Sequence, residues 1–104
     1  MSLTGKQKRF LRSRGHALAA TVQIGKDGIT DAIVAALDQA LLDHELVKVR
    51  IGHNAMVERK PAAAELAARI RGEVAQVLGN TLLIYRPHPE QPVLQLPVAA
   101  APTV

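Results

Sequence analysis

Apolar residues along this chain alternate between a helical spacing and a strand spacing, and that alternation restricts the fold more than any other feature. Leu46 to Ile51 reads LVKVRI. Val47, Val49 and Ile51 take one face and Lys48 and Arg50 the other, the two-residue period of a half-buried strand. Ahead of it, Ile29, Ile33, Ala36, Leu37, Ala40 and Leu41 recur at helical spacing. They predict an amphipathic helix that starts directly at a Gly25-Lys26-Asp27-Gly28 loop and ends near His44. Thr21 to Ile24 predicts a short strand feeding that loop.

The rest of the chain follows the same logic. Thr4-Gly5-Lys6-Gln7 reads as a capping box opening a first helix. Leu3, Phe10 and Leu11 form its apolar seam, while Lys8, Arg9 and Arg12, with Lys6 at the edge, form a basic face. Pro61 opens a third helix with a buried stripe of Ala63, Leu66, Ala67 and Ile70. Gly15 and Gly72 are expected as left-handed stops for the first and third helices. Glu73 to Leu78 and Thr81 to Arg86 predict two strands joined by the two-residue turn Gly79-Asn80. Leu82-Leu83-Ile84 is apolar on both faces, as an inner strand covered on two sides requires. The order is α-β-α-β-α-β-β. Strand-helix-strand connections favour parallel pairing with a right-handed crossover, and the hairpin must be antiparallel. The expectation is a compact α/β domain with a mixed sheet over residues 1–87. Five of the six prolines lie from Pro87 onward, so residues 88–104 are expected as an extended or disordered proline-rich tail. Val93 to Leu96 is its one segment suited to docking on the domain.

Charge bears on partners. The chain carries a formal net charge of +4 over 104 residues. Met1 to His16 holds Lys6, Lys8, Arg9, Arg12 and Arg14 and no acid. No acidic residue one helical turn away offsets their repulsion, so a polyanion is the expected partner, nucleic acid above all. Phe10 and Tyr85 are the only aromatic residues, too few for a platform that stacks single-stranded bases. Contacts are therefore expected through phosphates, backbone amides and RNA shape.

The glycine loop adds an anion-binding element. At a strand-to-helix junction the first helical amides lack partners and the helix dipole favours negative charge. Gly25 and Gly28 remove side-chain bulk, Lys26 adds a cation, and Asp27 opposes it or caps the helix. Two glycines at this spacing also punctuate ordinary turns; the nearby basic helix is what favours a binding role. Arg59, Lys60 and Arg50 are secondary candidates for the same surface, and Arg86 flanks the last strand.

Other chemistry is poorly represented. The absence of cysteine excludes disulfides and thiolate zinc sites. His16, His44, His53 and His88 have no metal-ligand spacing, and neither Ser2 nor Ser13 sits in a nucleophile motif. No enzyme, cofactor or metal is expected. No apolar run approaches membrane-spanning length and no signal-like segment precedes the domain, so the expected location is the cytoplasm, with a monomer as the default state.

Several blocks resemble a known family. They are LTGKQKR (Leu3 to Arg9), VQIGKDG (Val22 to Gly28), HELVKVRI (His44 to Ile51) and GNTLLIYRP (Gly79 to Pro87). In this order they resemble the YhbY family, the stand-alone bacterial form of the CRM (chloroplast RNA splicing and ribosome maturation) domain. The resemblance implies a four-stranded mixed sheet similar to the C-terminal domain of translation initiation factor 3. It implies RNA binding through Gly25 to Gly28 and the adjacent basic surface, and association with ribosomal RNA of large-subunit precursors. The loop looks like that of KH domains, but joins a strand to a helix. Asn80 replaces an arginine common in the family hairpin, and Ala19-Ala20 occupies a region that often holds proline. Arg59-Lys60 matches a basic pair before the third helix. A second reading, a protein adaptor on the ribosome without direct RNA contact, remains open on sequence alone.

Overall fold

The computed structural model describes residues 3–97. Its elements are α1 (Gly5–Gly15), β1 (Ala20–Ile24), α2 (Asp31–His44), β2 (Leu46–Ile51), α3 (Arg59–Ile70), β3 (Glu73–Leu78) and β4 (Thr81–Tyr85). The four strands form one mixed sheet in the order β1-β2-β4-β3, with β1 parallel to β2 and the other pairs antiparallel. The expected α/β class and sheet are therefore present. Among the described residues, no helix is long and apolar enough to cross a membrane.

Strand alternation builds two cores. Val22, Ile24, Val47, Val49, Ile51, Leu82 and Ile84 meet Leu37 and Leu41 of α2 and Leu66 and Ile70 of α3. The opposite face carries Leu46, Ala75, Leu83 and Tyr85, which meet Leu11 of α1 and Leu3 just ahead of that helix. β4 supplies both cores because it is an inner strand, which is why its sequence is apolar without alternation. α1 thus lies across the sheet from α2 and α3.

The capping box of α1 forms as expected. The Thr4 hydroxyl accepts from the Gln7 amide at 3.1 Å, and the Gln7 side-chain oxygen accepts from the Thr4 amide at 3.0 Å. Gly79 has φ +56° while Asn80 stays at negative φ, the signature of a type II′ hairpin turn.

The two predicted helix stops are corrected. α1 is capped by His16 in right-handed conformation, and Gly15 is a buried helical residue. A Cβ there would come within 2.8 Å of Leu83, so glycine lets the helix approach the sheet. At the end of α3 the left-handed residue is Arg71, φ 56°. The Gly72 amide closes onto the Ala67 carbonyl at 2.9 Å, and a Cβ at Gly72 would meet Ile70 and the Tyr85 carbonyl. Both glycines serve close packing, not left-handed backbone.

Residues 88–97 carry neither helix nor strand but are fastened to the domain. Glu45, buried at 3% exposure and at φ 64°, is the fastener. Its carboxylate accepts from the amides of His88 at 2.7 Å, Val93 at 2.8 Å and Leu94 at 2.7 Å. Burial pushes its pKa up, but those three amides and the nearby His88 charge outweigh burial and hold it below the ordinary value. Burial, then the Glu45 charge, pushes the Tyr85 phenol up. Leu94 and Leu96 pack on the α1 side core, and the Gln7 side chain donates to the Pro97 carbonyl at 2.9 Å. Residues 98–104 of the predicted tail lie outside the described residues.

Candidate nucleic-acid interface

The topology gathers several loops at one end of the sheet. β1 and β2 run parallel, so the loops following Ile24 and Ile51 leave from the same edge. β4 starts there too, because Arg50 pairs with Thr81. The Gly79-Asn80 hairpin tip and the start of α3 therefore join the Gly25–Gly28 loop at that end.

The loop itself is a tight turn separate from α2. The Gly28 amide donates to the Gly25 carbonyl at 3.0 Å, and Gly28 has φ +73°. Lys26 and Asp27 keep negative φ, which places the turn in the type I family. Both side chains are exposed. The expectation that this loop forms the mouth of α2 is overturned. Ile29 and Thr30 intervene, and the Thr30 hydroxyl accepts from the Ile33 amide at 3.2 Å. The protein's own side chain caps α2, and Asp31 pairs with Arg69 at 2.9 Å.

The open helix mouth belongs to α3. Its N-cap, Glu58, makes no side-chain cap, and the first turn holds no acid. Arg59 and Lys60 occupy that turn, exposed, against the positive end of the dipole, at a cost of roughly 0.3–1 kcal/mol each. Arg59 reaches the Gly79 carbonyl only at 3.4 Å, the outer limit of a hydrogen bond. An anion at this mouth would meet two cations and the amides of Arg59 and Lys60, with the exposed Glu58 carboxylate as the opposing charge beside them.

The basic helix expected near the loop does not pack beside it, because α1 occupies the other face of the sheet from α2. Lys6, Lys8 and Arg9 are exposed and Arg12 half-buried. None of the four is in an ion pair among the described residues. Arg14 sits over the Phe10 ring at 5.0 Å. What connects α1 to the loop end is the part of the sheet that α1 leaves uncovered. Lys48 borders two concavities. One, with Phe10, Ser13 and Arg14, lies beside α1. The other, with Gln23, Arg50, His53 and Asn80, runs to the loop end. Lys48 and Gln23 were not anticipated as site residues, although the alternation in LVKVRI already placed Lys48 beside Arg50 on the face away from the main core. Arg86, by contrast, is structural. Its guanidinium donates to the Asp38 carboxylate at 2.7 Å and to the Ile70 carbonyl at 2.8 Å, tying α2 to the end of α3. Among the described residues, no cluster of three potential ligands could hold a metal.

Comparison with known proteins gives the family. The CRS1 / YhbY (CRM) domain model matches residues 3–86. The chain belongs to the CRS1/YhbY (CRM) domain family. It is 38% identical over 95 residues to the Bacillus subtilis protein named Probable RNA-binding protein YqeI, covering 91% of this chain and 99% of that one. It is 31% identical over 96 residues to a Haemophilus influenzae protein named RNA-binding protein, covering 92% and 96%. A Staphylococcus aureus protein solved in solution superposes with a TM-score of 0.78 at 40% identity, covering 91% of this chain and 99% of that one. The matched CRM span includes every element and loop of the interface just described.

Proposed function

We propose that this CRM protein binds structured RNA through its sugar-phosphate backbone, and that the RNA is ribosomal RNA of large-subunit precursors in the cytoplasm. The observation that carries the reading is the α3 mouth, uncapped and bearing Arg59 and Lys60, at the same end of the sheet as the exposed Gly25-Lys26-Asp27-Gly28 turn. A phosphate there relieves cation repulsion and satisfies helix amides together. The basic side of α1, from Lys6, Lys8, Arg9 and Arg12, extends the contact to a second stretch of backbone. Residues 1–87 form the binding unit, acting as a docking protein and not as an enzyme. The RNA-binding names of the relatives that share nearly the full length support the partner class.

Salt dependence tests this. With about five phosphates neutralised, log affinity falls against log salt with a slope near −4. Replacing Arg59 and Lys60 together with alanine lowers the slope magnitude by about 2 and weakens all sequences alike, because phosphate contacts position without specifying. A flat salt dependence sinks the reading. The ribosomal part is checked by sedimenting lysate: the protein travels with large-subunit precursors and leaves them on RNase treatment. Association that survives RNase favours a protein partner instead.

A further inference from the structure

One row of side chains crosses the whole sheet at the open end of the α1 face. Gln23 pairs in register with Arg50, Arg50 with Thr81, and Thr81 with Leu78. Cross-strand partners share a face, and the neighbours Val22, Ile24, Val49, Ile51 and Leu82 all point to the opposite core. α1 stops short of this row, since its contacts are to Leu46, Ala75, Leu83 and Tyr85. With Lys48, His53 and Asn80, the row lines a concavity of about 600 Å³ without a single carboxylate.

We propose that this concavity receives one unpaired nucleotide of a structured RNA. The inference rests on the RNA-binding reading above and adds a recognition element to it. The volume falls within the range of small-ligand sites. Arg50 is exposed and in no ion pair among the described residues, so its guanidinium is free to lie on a base face, a contact that replaces the missing aromatic platform. Leu78, 61% exposed, offers apolar surface on the other side. Gln23 and Asn80 each carry a donor and an acceptor, suited to the edge of a base. Lys48 supplies charge for the adjoining phosphate. Gly52 keeps the geometry open: a Cβ there would come 3.2 Å from the Gln23 side-chain nitrogen. A base paired within an A-form helix keeps its edge engaged and its faces stacked, so the occupant is a bulged or loop nucleotide.

The test uses the full chain and two RNA hairpins with the same stem, one fully paired and one with a single bulged 2-aminopurine. The bulged hairpin is expected to bind about tenfold tighter, since one stacked base contributes on that order, with a change in 2-aminopurine fluorescence. The double variant Gln23→Ala/Arg50→Ala, both exposed positions, is expected to melt like wild type but bind the two hairpins equally, with no fluorescence change. Lys26→Ala is expected to weaken both hairpins alike. Equal wild-type affinity for the two hairpins overturns the nucleotide site while leaving backbone binding intact. A preference that survives in the double variant also overturns it. Failure to bind either hairpin overturns the RNA reading and the site together.

Discussion

Replacing Glu45 with glutamine perturbs the molecule at a point where the consequence follows from geometry. The carboxylate accepts three backbone amides from two sides, His88 on one oxygen and Val93 and Leu94 on the other. A glutamine oxygen can take the place facing two amides, but its NH2 group then confronts the third amide, donor against donor. One charge-assisted bond is lost outright and the other two lose their charge. Hydrogen bonds to charged groups contribute roughly 1.5–3 kcal/mol each, and the glutamine also relieves the burial penalty of the charge. The net expectation is a loss of about 2 kcal/mol, read as a fall of about 1 M in the urea midpoint. The loss has a pH signature. Because folding lowers the Glu45 pKa from its ordinary value of 4.5, its stabilising contribution is full above that value and disappears as pH falls through the folded one. The gap between wild type and Glu45→Gln should therefore be widest near neutrality and close in acid. Hydrogen exchange should accelerate at the amides of His88, Val93 and Leu94. Unchanged protection there, or a gap that persists unaltered at acid pH, refutes the assignment of Glu45 as the fastener of residues 88–97.

Two further substitutions separate packing from binding. Gly15→Ala should cost about 1–3 kcal/mol through overpacking against Leu83, despite alanine's better helix propensity; a raised melting temperature would contradict the close approach of α1 to the sheet. Thr30→Ala should cost about 1 kcal/mol by uncapping α2 and leave RNA affinity unchanged; a loss of RNA affinity beyond the loss of folded protein would return the α2 mouth to the binding site.

Much of this architecture is legible in the residues because the determinants are local. The LVKVRI alternation and the Thr4–Gln7 capping box depend on neighbours within four positions, and both stand in the structure as read. The misassigned glycines show where locality ends. Gly15 and Gly72 sit where helices stop, yet their reason is a contact with Leu83 in one case and with Ile70 and Tyr85 in the other. Glu45 stands just past the end of α2 with nothing nearby in sequence to mark it; its role depends on a segment that returns from 43 to 49 residues later. The binding end followed the same division. The tight turn at Gly25–Gly28 was visible, but its separation from α2 hinged on Thr30, a capping residue overshadowed by the nearby Asp27 and Asp31. The α3 mouth did leave a local sign: Arg59-Lys60-Pro61 lacks a serine, threonine, aspartate or asparagine cap ahead of it. The row Gln23-Arg50-Thr81-Leu78 leaves none, because it exists only once β4 is inserted between β2 and β3.

The most direct measurement is a titration of the isotope-labelled protein with a structured ribosomal RNA fragment, followed residue by residue through backbone amide shifts. The largest changes are expected at Lys26, Gly28, Arg50, Arg59 and Lys60, with smaller ones along Lys8 and Arg12 and little at solvent-facing Ala35, Gln39 and Ala64 of α2 and α3. Shifts concentrated on those outer helix positions, with the loop end of the sheet silent, would contradict the proposed interface.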